Sequence, residues 1–174
     1  DFCLSRGLGD VYKRQAPTVG AMGYGLPAAV SAKLEHPGKT VVCYAGDGCF
    51  QMNLQELGVA QQYRLGIVVL VFNNGIWGTI RAHQEREFPG RPIALGFENP
   101  DFTQIVRGYG GYGEAVERTE DFAAAFDRAL AYADREQRPA LLEIRYDADG
   151  IAPGQTLTSI RTAALARHAA APSH

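Results

Sequence analysis

The chain has 174 residues, 46% hydrophobic and 21% charged, with a formal net charge of −2. That describes one soluble domain able to bury a core, and it excludes a bulk nucleic-acid or polybasic membrane surface. No apolar run approaches the ~20 residues of a membrane span, and Cys3, Cys43 and Cys49 lack the pairing of a disulfide framework or metal site, which points to a reducing cytoplasm.

Residues 1–15, DFCLSRGLGDVYKRQ, have no apolar periodicity and no h-region of a signal peptide. They resemble the translated read-through of a sequencing-library adapter; a polar linker is the alternative. They are set apart as a leader, residues 16–150 are read as one domain and 151–174 as a C-terminal tail. Ala16 to Ala21 reads as a loop running into a site. Gly23 and Gly25 flank Tyr24, and a helix follows from Leu26-Pro27 to about Glu35, with proline tolerated in its first turn. His36-Pro37-Gly38 stops it. Lys39 to Ala45 is a strand whose apolar residues do not alternate, so both its faces should be covered. After Gly46-Asp47-Gly48 a helix is expected from Asn53 to Tyr63, with Asn53 and Glu56 at the spacing of a capping box. Gly66 to Asn73 is a second strand, rich in Val and Ile.

Asn74-Gly75 suits a hairpin turn, but no alternating strand follows. Gly78 to Glu87 reads better as a charged, exposed helix with Arg81 and Glu85 at i,i+4. A proline-marked loop runs from Phe88 to Asn99. Asn99-Pro100-Asp101 caps a helix to about Tyr109, and a short strand is expected near Glu114 to Val116. Thr119 should cap a helix to about Glu136, with Phe122, Phe126 and Leu130 on one apolar face. Pro139 to Arg145 is the last strand, and an Ala-rich peripheral helix follows. Strands and helices alternate as in an α/β fold: a three-layer open parallel sheet with helices on both faces.

The chemistry gathers between Val41 and Trp77. Two buried strands joined by a helix deliver Asp47 and Asn74 to one sheet edge, where α/β proteins bind ligands. Both are hard oxygen donors, and the glycines beside Asp47 let a backbone and a phosphate come close. That donor set suits Mg²⁺ bridging to a diphosphate. Gly-Asp-Gly alone is an ordinary turn; with the second strand and the paired asparagines it becomes a specific signal.

Gly46-Asp47-Gly48, residues 49–72 and then Asn73-Asn74 resemble the motif of thiamine-diphosphate-dependent enzymes. GDGCFQMNLQELGVAQQYRLGIVVLVFNNGIWGTIR and, upstream, VGAMGYGLPAAVSAK are similar to the acetolactate synthase-like branch. The resemblance covers about Ala16 to Arg161 and matches the last third of such enzymes, the domain with the thiamine diphosphate-binding fold. It implies Mg²⁺ held by Asp47, the side chain of Asn74 and the carbonyl of Ile76. It also implies that Gly46, Gly48 and Cys49 line the diphosphate. The Gly20 carbonyl would meet the aminopyrimidine, and Met22 would wedge beneath the cofactor; plain core packing is the other reading of Met22. A nucleophilic role for Cys49 has no second partner in the sequence.

The activity implied is decarboxylation of a 2-keto acid with carboligation. The activating glutamate of the family lies on an N-terminal domain, normally of a partner subunit in a homodimer or homotetramer, and FAD would bind a middle domain. On this reading residues 16–174 alone turn nothing over. Where acetolactate synthases usually carry a tryptophan the chain has His83, and where Met-Val is common it has Thr79-Ile80. These three are taken as candidate substrate-channel residues, with a solvated helix face as the alternative for His83. The departures bring in a second reading, a 2-keto-acid decarboxylase or lyase on the same scaffold. A non-catalytic cofactor-binding fragment is the third.

Overall fold

The computed structural model describes residues 20–152 and 154–170. The expected leader, residues 1–15, and most of the loop before Met22 lie outside them. The described chain forms two units. One comprises residues up to Asn73 together with Asn99–Arg145; the other comprises Asn74–Glu98 and the residues from Tyr146 onward.

In the first unit the elements are α1 (Gly25–Glu35), β1 (Val41–Gly46), α2 (Asp47–Asn53), a 3-10 turn, α3 (Leu57–Gln62), β2 (Ile67–Asn73), α5 (Phe102–Gly108), β3 (Tyr112–Val116), α6 (Phe122–Glu136) and β4 (Ala140–Arg145). The four strands pair in the order β1-β2-β4-β3, all parallel. Side chains of alternate strand residues point to opposite faces. Val41, Cys43, Ala45, Ile67, Val69, Val71 and Leu141 pack with α1, α2, α3 and α5, around Leu26, Phe50, Leu57 and Phe102. Val42, Val68, Leu70, Ala140 and Leu142 face the other way, onto α6. The unbroken apolar runs of β1 and β2 follow from this: each strand is covered twice, as expected of a parallel sheet.

The sequence expectations fail at helix starts. The helix after β1 begins at Asp47, not Asn53. Asn53 therefore caps nothing and instead donates its amide to the Gly23 carbonyl at 3.0 Å; the capping box with Glu56 does not form. Thr119 opens a 3-10 turn rather than capping α6. On α6 the buried line is Ala125, Ala129 and Ala133, because the helix lies close to the sheet. Phe122, Phe126 and Leu130 pack half-buried along its side.

The second unit contains α4 (Gly78–Glu87), the antiparallel pair β5 (Gly150–Ala152) and β6 (Gln155–Thr156), and α7 (Leu157–Ala170). Ala82, Leu157 and Ile160 form its small core with Ile76 and Ile151. α4 is not exposed all round: Glu85 is buried. It accepts from Arg81 and, through a two-pronged contact, from Arg161 of α7. Among the described residues no helix is long and apolar enough to cross a membrane.

Candidate functional site

Strand register sets the site. Gly46 pairs with Phe72, Phe72 with Ile144, and Asn73 with Arg145. Asp47, one residue past Gly46, therefore stands level with Asn73 at the carboxyl edge of the sheet. Gly46 is still extended at φ −69°, ψ 159°, and the helix starts on the next residue. That abrupt change puts Asp47 in the first turn of α2, where a negative charge suits the helix dipole.

Asp47 is only 4% exposed. Its Oδ1 accepts from the Gly48 N–H at 2.8 Å, and its Oδ2 from the Asn99 amide at 2.8 Å. The same Asn99 Nδ2 donates to Asn73 Oδ1 at 2.6 Å. Gln51 Nε2, one helical turn beyond Asp47, donates to Asn99 Oδ1 at 2.8 Å. These partners fix the Asn99 amide: turned over, it would set a carbonyl oxygen against a carboxylate. Asn73 is held from its other side, its Nδ2 donating to Glu143 Oε1 at 2.7 Å. Glu143 is 2% exposed and also accepts from Arg145 Nε at 3.0 Å. The Glu143 carboxylate is the main cause that raises the Arg145 guanidinium above its ordinary value. Glu143 Oε2 has no hydrogen-bond partner among the described residues.

Asn99 is placed by its sequence neighbours. Pro100 disfavours a helical backbone at Asn99, and Asp101 then caps α5 by accepting from the Gln104 N–H at 3.0 Å. Hydrogen bonds from the Thr103 hydroxyl and the Gln104 N–H hold the Asp101 carboxyl below its usual range.

Upstream of α1, Gly20 has φ +61° and Gly23 φ +85°. Met22 is 42% exposed, so plain core packing does not describe it. Cys49, in the first turn of α2, is a half-buried free thiol.

In the second unit, Asn74 Oδ1 accepts from the Ile76 N–H at 3.3 Å. The Ile76 carbonyl accepts from the Gly78 N–H at 2.9 Å. Gly75 takes φ +67°, and Ile76 pairs with Gly96 in one antiparallel bridge rather than a hairpin. Thr79, Ile80 and His83 are exposed on α4, and His83 Nδ1 lies 3.3 Å from the Arg86 guanidinium.

Among the described residues no three His, Cys, Asp or Glu side chains cluster as a metal cage. A cation at Asp47 would take one carboxylate and otherwise amide, carbonyl and ligand oxygens. That set fits Mg²⁺, which is held by one or two carboxylates plus phosphate oxygens.

The family model for the thiamine pyrophosphate enzyme C-terminal TPP-binding domain matches residues 6–144. The chain belongs to this family. It is 38% identical over 143 residues to an acetolactate synthase of Arthrospira platensis, covering 78% of this chain and 24% of that protein. With the acetolactate synthase isozyme 2 large subunit of Escherichia coli (strain K12) it shares 36% identity over 130 residues, 74% of this chain and 23% of that protein. The chain thus spans about a quarter of the length of these curated relatives. Its fold superposes with a TM-score of 0.68, at 37% identity, on the Rhodococcus jostii RHA1 thiamine diphosphate-dependent 4-hydroxybenzoylformate decarboxylase, covering 75% of this chain and 24% of that one.

Sequence reasoning missed Gln51, Asn99 and Glu143. Only Glu143 left a local signal: an acid between Leu142 and Ile144 in a strand expected to be buried.

Proposed function

We propose that this domain binds the diphosphate end of thiamine diphosphate through Mg²⁺ and serves a 2-keto-acid enzyme of the acetolactate synthase-like branch. One observation carries the reading: a buried carboxylate, Asp47, stands at the carboxyl edge of a parallel sheet, with both oxygens already oriented by hydrogen bonds. The two asparagines at the carboxyl end of β2, Asn73 within it and Asn74 just past it, divide the work. Both polar atoms of the Asn73 amide are engaged within the sheet edge, which supports Asn74 as the metal-binding member of the pair. A carbonyl oxygen has two lone pairs, so Ile76 can hold its Gly78 contact and still offer one to the metal.

Gly46, Gly48 and Cys49 would line the diphosphate with backbone, Gly20 would offer its carbonyl to the aminopyrimidine, and the exposed Met22 would pack beneath the cofactor rings. When bound, the cofactor supplies the carbanion chemistry that decarboxylates 2-keto acids; these residues bind it, orient it and exclude water. The activating acid and the other half of the pocket would come from an N-terminal domain of a partner subunit in a homo-oligomer. The half-buried thiol of Cys49, outside any disulfide, suits a cytoplasmic setting.

A second reading, a decarboxylase, draws support from His83 at the tryptophan position and from the structural neighbour, which is a 4-hydroxybenzoylformate decarboxylase.

Calorimetric titration of thiamine diphosphate into the chain, with and without Mg²⁺, tests the metal site. Binding should require Mg²⁺, and Asp47→Ala should abolish it. Equal affinity with and without the metal, or an unaffected Asp47→Ala variant, overturns the assignment.

A further inference from the structure

We propose that Asn99 is a positioning residue for the metal-binding carboxylate, held in its working orientation by Gln51. The inference rests on the Mg²⁺ reading above and adds to it the residue that sets the ligand's direction.

Asp47 is one residue past a strand and at the start of a helix, and its backbone conformation does not by itself set the plane of the carboxylate. Its own neighbour, Gly48, holds one oxygen. A single bond still permits rotation of the plane. The second bond, Asn99 Nδ2 to Oδ2 at 2.8 Å, defines that plane. Asn99 can do this because its two amide hydrogens reach two different oxygens, Asp47 Oδ2 and Asn73 Oδ1, while its carbonyl oxygen is held by Gln51. Both polar atoms of the Asn99 side chain thus have partners. The partners come from distant parts of the chain, so Asn99 joins the end of β1, the end of β2 and the second turn of α2. Asn73, fixed in turn by Glu143, gives Asn99 a rigid second anchor.

Outer groups of this kind orient a ligand and tune its basicity, and their loss weakens metal binding by ~10–100-fold. The Gln51 side chain reaches the Asp47 carboxylate by way of Asn99, so its effect on the carboxylate should pass through that residue. Gln51→Met leaves Asn99 in place but frees its amide to turn.

The test is titration of Mg²⁺ into the 174-residue chain at saturating thiamine diphosphate, followed by calorimetry, with unfolding of each variant measured in EDTA. Asn99→Ala should weaken Mg²⁺ by ~10–100-fold and Gln51→Met by less. The double variant should bind no more weakly than Asn99→Ala alone, because the two act in series. A purely structural role would lower the metal-free unfolding midpoint and leave Mg²⁺ affinity within about twofold, well under the ~10-fold expected of an orienting partner; that result overturns the proposal. So do effects of the two substitutions that simply add. Asp47→Ala separates the two layers. If it leaves Mg²⁺ affinity unchanged, the metal reading falls and takes this inference with it. If it abolishes binding while Asn99→Ala does not weaken it, the inference alone falls.

Discussion

Replacing Glu85 by Gln should destabilise the second unit, and should do so only while the native carboxylate is charged. Glu85 is 1% exposed. Arg161 donates to it through Nε at 2.9 Å and a terminal nitrogen at 2.6 Å, Arg81 through Nε at 2.9 Å, and the Gly90 N–H at 2.8 Å. Led by the Arg161 hydrogen bond, these contacts hold its carboxyl from the ordinary 4.5 down to about 2. At about 1.4 kcal/mol per pH unit this corresponds to a ceiling of ~3 kcal/mol. Arg81 and Arg161 are 22% and 35% exposed, so solvent screens part of the attraction, and about 2 kcal/mol is expected. The sign follows from the depressed value. The stabilisation is fully present above the unfolded carboxyl's pKa, near 4.5, and is lost as pH falls towards the folded value, about 2. Trp77 is the only tryptophan of the chain and lies in the second unit, so its fluorescence in urea reports on that unit. Wild type and Glu85→Gln should differ by about 2 kcal/mol at neutral pH and converge at the acid end of the window. Asp101 and Glu114 are also held low, but they titrate in both proteins and cancel in the difference. A neutral-pH gap under ~0.5 kcal/mol, the size of an ordinary surface change, would refute the clasp. A gap that persists in acid would refute its electrostatic origin.

Two further substitutions probe what surrounds the site. Gly23→Ala would place a Cβ 2.6 Å from Asn53 Nδ2 and 3.0 Å from Met52 Cβ, at φ +85°. It should destabilise by ~1–3 kcal/mol in urea unfolding, and unchanged stability would show that the loop before α1 moves freely away from α2. Phe50 is 1% exposed and meets Phe102 edge-on at 5.5 Å; Phe50→Ala should lose ~3–5 kcal/mol by the same measurement. A loss under ~2 kcal/mol, below the range for a buried aromatic, would mean that the core beneath α2 collapses to fill the space.

The sheet was legible because its signals are local. Val41–Ala45 and Ile67–Phe72 are apolar without alternation, and both are covered on two faces. α4 was placed at Gly78–Glu87 from its charge pattern, yet its most informative residue was misjudged. Arg81 and Glu85 do pair at i,i+4, but the partner that matters more to Glu85 is Arg161, 76 residues away. No periodicity carries that information. The start of α2 was misread for a different reason. A capping-box spacing at Asn53 and Glu56 is a local preference, and the chain enters its helix earlier, at Asp47, leaving Asn53 inside the turn of structure that meets the Gly23 loop.

The same contrast explains the site. Asp47 and Asn73 stand at strand ends, so strand assignment alone brings their positions together. The contacts that orient Asp47 and Asn73 include Asn99, 52 residues from Asp47 and 26 from Asn73, in a stretch whose sequence announces only a loop and a helix cap. Asn99 has its place because Pro100 keeps it out of the helix and Asp101 takes the capping role. Had Asn99 been the cap, its side chain would have been spent on the α5 backbone. The Asn-Pro-Asp order therefore does two jobs: the aspartate starts the helix, and the asparagine is left with a complete amide to join the carboxyl ends of β1 and β2. A residue that reads as punctuation in sequence becomes, once the parallel register is known, the group that decides which way the buried carboxylate points.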